Sequence, residues 1–268
     1  MNLSRTCHPL EGGEPRFAAI AESASYDRET EPARWASVHV EQLWRFPVKS
    51  LRGEPLESAV LTEDGVVGDR LVHVRQHAHV VTGRTRPRLL GLTGSTAADG
   101  TALIEGVPWN DPAAAQAIRE AAGPGAEAVY YSGHERFDVL PLLVATDGGV
   151  QAFGYNGRRL RPNIVIGGVP GLQERSWPGK VLRIGEVLIG LYSLRSRCIV
   201  TTIDPDTGEQ DLNVLRKIHY EFAGRLALNC WVAQGGVIRV GDAAEIIEMT
   251  LPQPQPDGWI IGAPYSVA

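Results

Sequence analysis

The 268-residue chain contains only three cysteines, and this shortage excludes several classes of protein. Three cysteines cannot staple so long a chain with disulfides, and Cys7, Cys198 and Cys230 lack the C-x-x-C spacing of a thiolate zinc site or an iron–sulfur cluster. No apolar run approaches the roughly 20 residues that span a bilayer, and the N-terminus lacks the apolar segment of a secretory signal. We therefore expect a cytoplasmic protein without a membrane partner.

Lysine is equally scarce, because 23 of the 26 basic residues are arginine, in a chain whose net charge is −5. The negative balance argues against general nucleic-acid binding, so no nucleic-acid partner is expected. The arginines cluster at 84–88, 158–161 and 195–197. Genome base composition would also enrich arginine. Local clusters in an acidic chain nevertheless favour a site for an anion such as phosphate, which guanidinium groups bind through paired hydrogen bonds.

Short alternating apolar runs separated by Gly, Asp, Asn and Pro predict a mainly β (α+β) fold of the barrel or sandwich type. Two helices are expected, one over 111–122, where Asp111 and Pro112 form a helix start, and one over about 211–222. Changes in composition and in apolar patterning predict an N-terminal extension (1–37), a first β region (38–137), a second β region (138–250) and a C-terminal tail (251–268).

Three short stretches carry residues suited to chemistry, and each also has a simpler interpretation. Cys198 lies beside two arginines that would favour its thiolate, the form that attacks and binds metals, but most free cysteines are buried structural residues. Pro162 restricts Arg161 to an extended backbone and Asn163 follows, which suits an anion or a heterocycle edge, or simply a strand entrance. Lys49 fits an anion site or a solvated loop.

The order of the motifs along the chain is more specific than any one of them. The motifs are FPVKSLRG (46–53), GDR (68–70), VTGRTRPRL (81–89), RPNIVI (161–166), RCIVTTIDPDTG (197–208) and IRVGD (238–242). Together they resemble a MOSC N-terminal β-barrel domain followed by a MOSC β-barrel domain, over about residues 38–248. Within that family the chain resembles the mitochondrial amidoxime-reducing component and bacterial reductases of N-hydroxylated compounds.

The resemblance implies a molybdenum cofactor, which consists of molybdenum bound to molybdopterin. It implies that Cys198 ligates the metal and is the catalytic residue, and thiolates suit such soft metals. Two departures stand out: Val139 and Leu140 replace hydroxyl residues, and Cys230 is expected to line the pocket. The residues that the resemblance assigns to cofactor binding are Lys49, Ser50, Arg70, Asp138, Arg161, Asn163, Ser196, Arg197 and Cys198.

The function implied is reduction of small N-hydroxylated substrates. The chain has no flavin or iron–sulfur motif, so electrons are expected from a separate donor protein, whether a ferredoxin, a flavoprotein or a cytochrome. Two alternatives stay open. One is a non-redox carrier of the cofactor or of sulfur. The other is a specialised biosynthetic enzyme on the same scaffold, which the changes at Val139, Leu140 and Cys230 would suit.

Overall fold

The computed structural model describes residues 37–252, apart from 78, 134 and 135. Nearly all of the predicted N-terminal extension and of the predicted tail lies outside these residues. Strands dominate the described part, which confirms the mainly β prediction. The strands are β1 (His39–Arg45), β2 (Glu54–Leu56), β3 (Ser58–Thr62), β4 (Gly65–Val66), β5 (Val72–Gln76), β6 (His79–Val81), β7 (Gly94–Thr96), β8 (Ala102–Ile104), β9 (Val107–Pro108), β10 (Ala126–Tyr130), β11 (Leu142–Thr146), β12 (Ile164–Gly167), β13 (Val181–Ile184), β14 (Val187–Ser196), β15 (Arg225–Gln234), β16 (Gly236–Arg239) and β17 (Ala244–Ile247).

The α-helices of the described residues are α1 (Pro112–Ala122), α2 (Asp147–Phe153) and α3 (Leu212–Phe222). Both predicted helices are confirmed, at α1 and α3. Asp111 caps α1 by accepting a hydrogen bond from the Ala113 N–H at 2.8 Å. The face that α1 buries consists of residues four apart, which share one side of a helix. They are Ala114, Ile118 and Ala122.

The largest sheet has eight strands in the order β17-β13-β14-β15-β11-β12-β1-β2. Two of its strands, β1 and β2, come from the start of the chain, and β1 pairs antiparallel with β12. Leu43 of β1 and Ile164 of β12 are partners in this ladder, and both are buried in the main apolar core. The first strand is therefore part of the sheet that the second half of the chain builds.

The large sheet is not a closed barrel in the described residues, so the barrel prediction needs correction. The start of β17 does approach β1, because the Ala244 N–H donates to the Val38 carbonyl at 2.9 Å. The rest of that edge of β1 is taken by β2, which pairs over Leu43 to Arg45. A full ladder between β1 and β17 therefore does not form.

The described residues also form three smaller sheets, with strand orders β10-β5-β6, β16-β3-β4 and β7-β8-β9. A second apolar core joins α1 to β5 and β8, and a third packs α3 against Phe153 of α2. No helix among the residues described is long and apolar enough to cross a membrane. The segments that follow β1 and β14, and those that precede β11 and β12, border one cleft.

Candidate functional site

Every residue that the sequence motifs assigned to the site lines one cleft. Its empty volume is about 820 Å³, including the part open to solvent. The segments that meet there are far apart in the sequence and come from both halves of the chain. The predicted residues brought together are Lys49, Ser50, Arg70, Asp138, Arg161, Asn163, Ser196, Arg197 and Cys198. Their roles toward a cofactor remain predictions.

Three of these residues have left-handed backbones, a conformation that is unfavourable for side chains other than glycine. The φ angles are 72° at Ser50, 55° at Arg70 and 56° at Arg161. The extended backbone predicted for Arg161 from Pro162 was therefore wrong, because Arg161 ends a short 3-10 helix in the left-handed conformation. Surrounding hydrogen bonds hold the turns, since the Arg70 N–H donates to the Phe46 carbonyl at 2.8 Å and the Arg161 N–H to Arg158 at 3.0 Å. Strained backbone of this kind concentrates at ligand sites, where it orients side chains.

Asn163 lines the cleft, but its side chain is engaged by the protein. It is fully buried, and its Oδ1 accepts a hydrogen bond from the Leu143 N–H at 3.2 Å. Its Nδ2 donates to the Trp44 carbonyl and to Asp69 Oδ2, each at 3.3 Å. Asp69, also fully buried, pairs in turn with Arg70. Asn163 therefore joins β1, the start of β11 and the turn at Arg70.

Positive charge is concentrated in the cleft. Burial, together with the charge of neighbouring Arg70, lowers the pKa of Arg161 to about 9. Burial and then Arg195 likewise lower the pKa of Arg197 to about 9. A bound anion would relieve this crowding. Among the described residues, six cationic side chains and one carboxylate line the cleft: Lys49, Arg70, Arg84, Arg161, Arg195, Arg197 and Asp138.

Asp138 links three of these cations. Its Oδ1 lies 2.7 Å from Lys49 Nζ, and its Oδ2 lies 2.9 Å from Arg195 Nη2 and 3.4 Å from Arg84 Nη2. Burial alone would raise the pKa of Asp138, but Lys49, Arg195 and Arg84 together lower it well below its usual value. Burial lowers the pKa of Lys49, which also donates to the Arg136 carbonyl at 2.8 Å. Asp138 therefore stays ionised and fixes the positions of these cations.

Cys198 is half-buried and lies where the chain leaves β14, at the start of a short 3-10 helix. The Thr201 hydroxyl donates to the Cys198 carbonyl at 2.8 Å. Behind this turn, buried Arg159 donates to the Thr202 carbonyl at 2.9 Å and pairs with Asp204 at 2.7 Å. The thiol thus lies on an anchored turn that borders the cleft, which does not fit a cysteine buried only for structure.

Cys230 does not line the cleft, so that expectation was wrong. It is fully buried in the main core, and its Sγ lies 3.4 Å from the Leu228 carbonyl. Burial raises the pKa of this thiol. Neighbours on a strand face opposite sides of the sheet, so Asn229 lines the cleft instead. Arg195, which sequence motifs noted only as part of a cluster, donates to Asn229 Oδ1 at 3.2 Å.

The arginine cluster at 84–88 also contributes to the site, because Arg84 lines the cleft. Leu140 lines it too, where the related proteins were expected to have a hydroxyl residue. Within the described residues, no group of three or more His, Cys, Asp or Glu side chains could hold a metal ion.

Comparisons with known proteins agree with the motif order. The sequence model of the MOSC N-terminal beta barrel domain matches residues 37–122, and that of the MOSC domain matches residues 147–245. The chain is 26% identical to mitochondrial amidoxime-reducing component 1 of Homo sapiens, over 63% of this chain and 67% of that protein. It is 24% identical to mitochondrial amidoxime reducing component 2 of Macaca fascicularis, over 84% and 90%. The solved structure of the YuaD protein from Bacillus subtilis is 12% identical, with a TM-score of 0.41, over 78% of this chain and 95% of that one.

Proposed function

Because the chain belongs to the MOSC proteins, with a MOSC N-terminal β-barrel domain followed by a MOSC domain, we propose that it is a molybdenum-cofactor-dependent reductase of N-hydroxylated compounds. The similarity to amidoxime-reducing components supports the substrate class. The observation that carries the proposal is the half-buried Cys198 thiol in the same cleft as six cationic side chains.

The residues of the cleft fit this cofactor chemically. A thiolate is the ligand that soft metals prefer, and Cys198 offers one. The cationic side chains suit the phosphate of a pterin cofactor, which guanidinium and ammonium groups grip by charge and hydrogen bonds. Arg197 also has a buried Nε with no hydrogen-bond partner in the described part of the chain. A buried donor of this kind is normally satisfied, so an acceptor on a bound group would complete it.

In the proposed reaction, reduction of an N-hydroxyl group breaks the N–O bond, consumes two electrons and two protons, and releases water. When bound, the cofactor supplies the metal that passes these electrons, which come from a separate donor protein. The chain's own residues hold the groups of the cleft in position. Asp138 fixes Lys49 and Arg195, Arg159 anchors the turn that bears Cys198, and Leu140 adds an apolar side chain to the wall of the cleft.

We expect the protein, purified from a host that makes the cofactor, to contain molybdenum and pterin and to reduce benzamidoxime. Cys198→Ala should lower kcat/KM at least a hundredfold, because it removes the only thiol in the cleft lining of the described residues. Metal analysis, pterin fluorescence and turnover are the measurements. Cys230→Ala is the matched control, since it removes a thiol that lies in the core, and it should keep both metal and turnover.

Two outcomes would contradict the proposal. Folded wild-type protein from such a host that contains neither molybdenum nor tungsten would rule out the cofactor. Protein that contains the cofactor and forms a persulfide on Cys198, but turns over no N-hydroxylated compound, would favour the non-redox carrier instead.

A further inference from the structure

A second cavity adjoins the cleft that holds Cys198. Its empty volume is about 490 Å³, including its opening, and it shares three lining residues with the cleft: Leu90, Arg161 and Val200. Val200 follows Cys198 by two residues, so the shared wall lies close to the thiol in the chain. Trp44 contributes aromatic surface to this second cavity, whereas Phe46, also in its wall, is buried with Arg161 over its ring at 4.3 Å from the centroid. Flat aromatic walls favour flat, apolar ligand groups.

The arginines that line the second cavity differ in whether a carboxylate pairs with them. Among its guanidinium groups, Arg158 and Arg159 each pair with an aspartate of the loop that follows the Cys198 turn. Arg52 has no carboxylate partner among the residues described, and its Nη2 donates only to the Asp206 carbonyl, at 3.2 Å. Arg161 lies over an aromatic ring and forms no salt bridge in that part of the chain. Arg52 therefore lies beside an apolar slot with no carboxylate in salt-bridge contact among the described residues, whereas Asp69 and Asp138 act on Arg161 from a distance.

Buried hydrogen-bond donors without a partner also lie around the second cavity and the cleft. Within the described residues, three buried side-chain nitrogens have no partner, namely the Nε atoms of Arg52, Arg159 and Arg197. The first two arginines line the second cavity, and the third lines the cleft. Arg159 is more than nine-tenths buried. Because an unsatisfied buried donor costs free energy, their grouping around two adjoining cavities indicates acceptors on bound molecules.

We propose that the second cavity binds the flat, apolar part of the substrate and that Arg52 recognises an anionic substituent, such as a carboxylate, on that part. This inference rests on the proposed function, because the reacting N–O group would lie in the adjoining cleft near Cys198. Arg161, which lines both cavities, would contact the substrate where it passes from one to the other. The substrate class is thus an aromatic N-hydroxylated compound that carries a negative charge.

The test compares benzamidoxime with 4-carboxybenzamidoxime as substrates of the cofactor-loaded full chain. Wild-type protein should have the higher kcat/KM for the carboxylate. Arg52→Gln should lower kcat/KM for 4-carboxybenzamidoxime about 10- to 100-fold, the value of a hydrogen bond to a charged group, and change benzamidoxime turnover by less than about threefold. Arg216→Gln, an exposed arginine on α3 away from both cavities, is the matched control and should change neither. If Arg52→Gln does not fold, the two amidoximes are compared with Arg52→Lys, which keeps the positive charge but lacks the guanidinium fork.

A binding measurement separates this inference from the proposed reaction. Calorimetric titration should show that the loaded wild-type protein binds 4-carboxybenzamidine, the product, more tightly than benzamidine, and that Arg52→Gln removes the difference. Absence of any preference for the carboxylate in wild-type protein would overturn the inference. So would loss of pterin from Arg52→Gln, because the cavity would then belong to the cofactor. Arg52-dependent binding without reduction of either amidoxime would support the cavity and overturn the reductase.

Discussion

Asp138 is the residue whose substitution should destabilise the cleft most directly, because Lys49, Arg84 and Arg195 would then lose the carboxylate that links them. We expect Asp138→Asn to lower the free energy of unfolding by about 1–3 kcal/mol at pH 7. Urea denaturation followed by circular dichroism measures this. Glu120→Gln, on the exposed face of α1, is the control and should stay within about 0.5 kcal/mol of wild type.

The pH dependence of that difference follows from the lowered pKa of Asp138. A carboxylate whose pKa is lower in the folded state stabilises the protein above its unfolded pKa of about 3.9, and the contribution is lost as the pH falls through the folded value. The gap between wild type and Asp138→Asn should therefore be constant from about pH 5 to 7 and shrink below about pH 4. A gap that widens in acid would contradict this account of Asp138.

The individual site residues were predictable where a motif named them, and Cys198 and Arg161 are examples. Motifs cannot show which way a strand is turned, so Cys230 was wrongly expected in the cleft, while its neighbour Asn229 was overlooked. They also cannot show how a side chain is used. Asn163 was found by its motif, yet its amide is engaged by backbone and by Asp69, a fact that depends on contacts between distant segments.

Among the elements, β14 and β15 form the pair on which Cys198 depends, since β14 leads directly into its turn. Gly190 of β14 lies under the indole ring of Trp231 on β15, and a Cβ at Gly190 would be 2.2 Å from that ring. Gly190→Ala should therefore displace the indole and lower the free energy of unfolding by about 1–3 kcal/mol.

Urea unfolding and tryptophan fluorescence check the change at Gly190. Gly91→Ala is the matched control, because a Cβ at Gly91 would meet nothing within 4 Å. Unchanged stability and unchanged fluorescence in Gly190→Ala would mean that the indole has room to move.

The helices show why some elements can be read from sequence and others cannot. α1 and α3 begin at aspartate caps, and each carries apolar residues at helical spacing. α2 has only seven residues, including Gly148 and Gly149, and glycine is a poor helix former. A Cβ at Gly148 would lie 2.2 Å from the Val169 carbonyl, so the glycine permits a close approach that only the folded chain reveals.

At the scale of the whole molecule, charge is segregated: the net charge is −5, yet six cationic side chains of the described residues line one cleft. We expect phosphate to raise the melting temperature of cofactor-free protein more than chloride at the same ionic strength. At ten times its dissociation constant, phosphate would add about 1.4 kcal/mol, or roughly 2–4 °C.

Differential scanning fluorimetry measures this shift, and Arg161→Gln should reduce it. Arg216→Gln is again the control, since it removes one arginine from outside the cleft. Equal shifts with phosphate and chloride would show that the cleft has no particular affinity for the anion.

The mainly β architecture was predictable from short strands and turn residues, but the openness of the large sheet was not. It depends on β2 taking part of the edge of β1, and nothing local in either segment specifies that partner. Pairing between distant segments is decided by the packing of the whole chain.

The place of β1 in the large sheet has a consequence for synthesis on the ribosome. Leu43 emerges 121 residues before its ladder partner Ile164. At ordinary translation rates this interval is on the order of ten seconds. During that time the partner from the large sheet that reaches β1 early is the three-residue β2, so Val40 and Leu43, both destined for the core, lack the longer β12 ladder. A nascent chain of this protein therefore needs shelter for its first strand, by a chaperone or by transient contacts, until β12 leaves the exit tunnel.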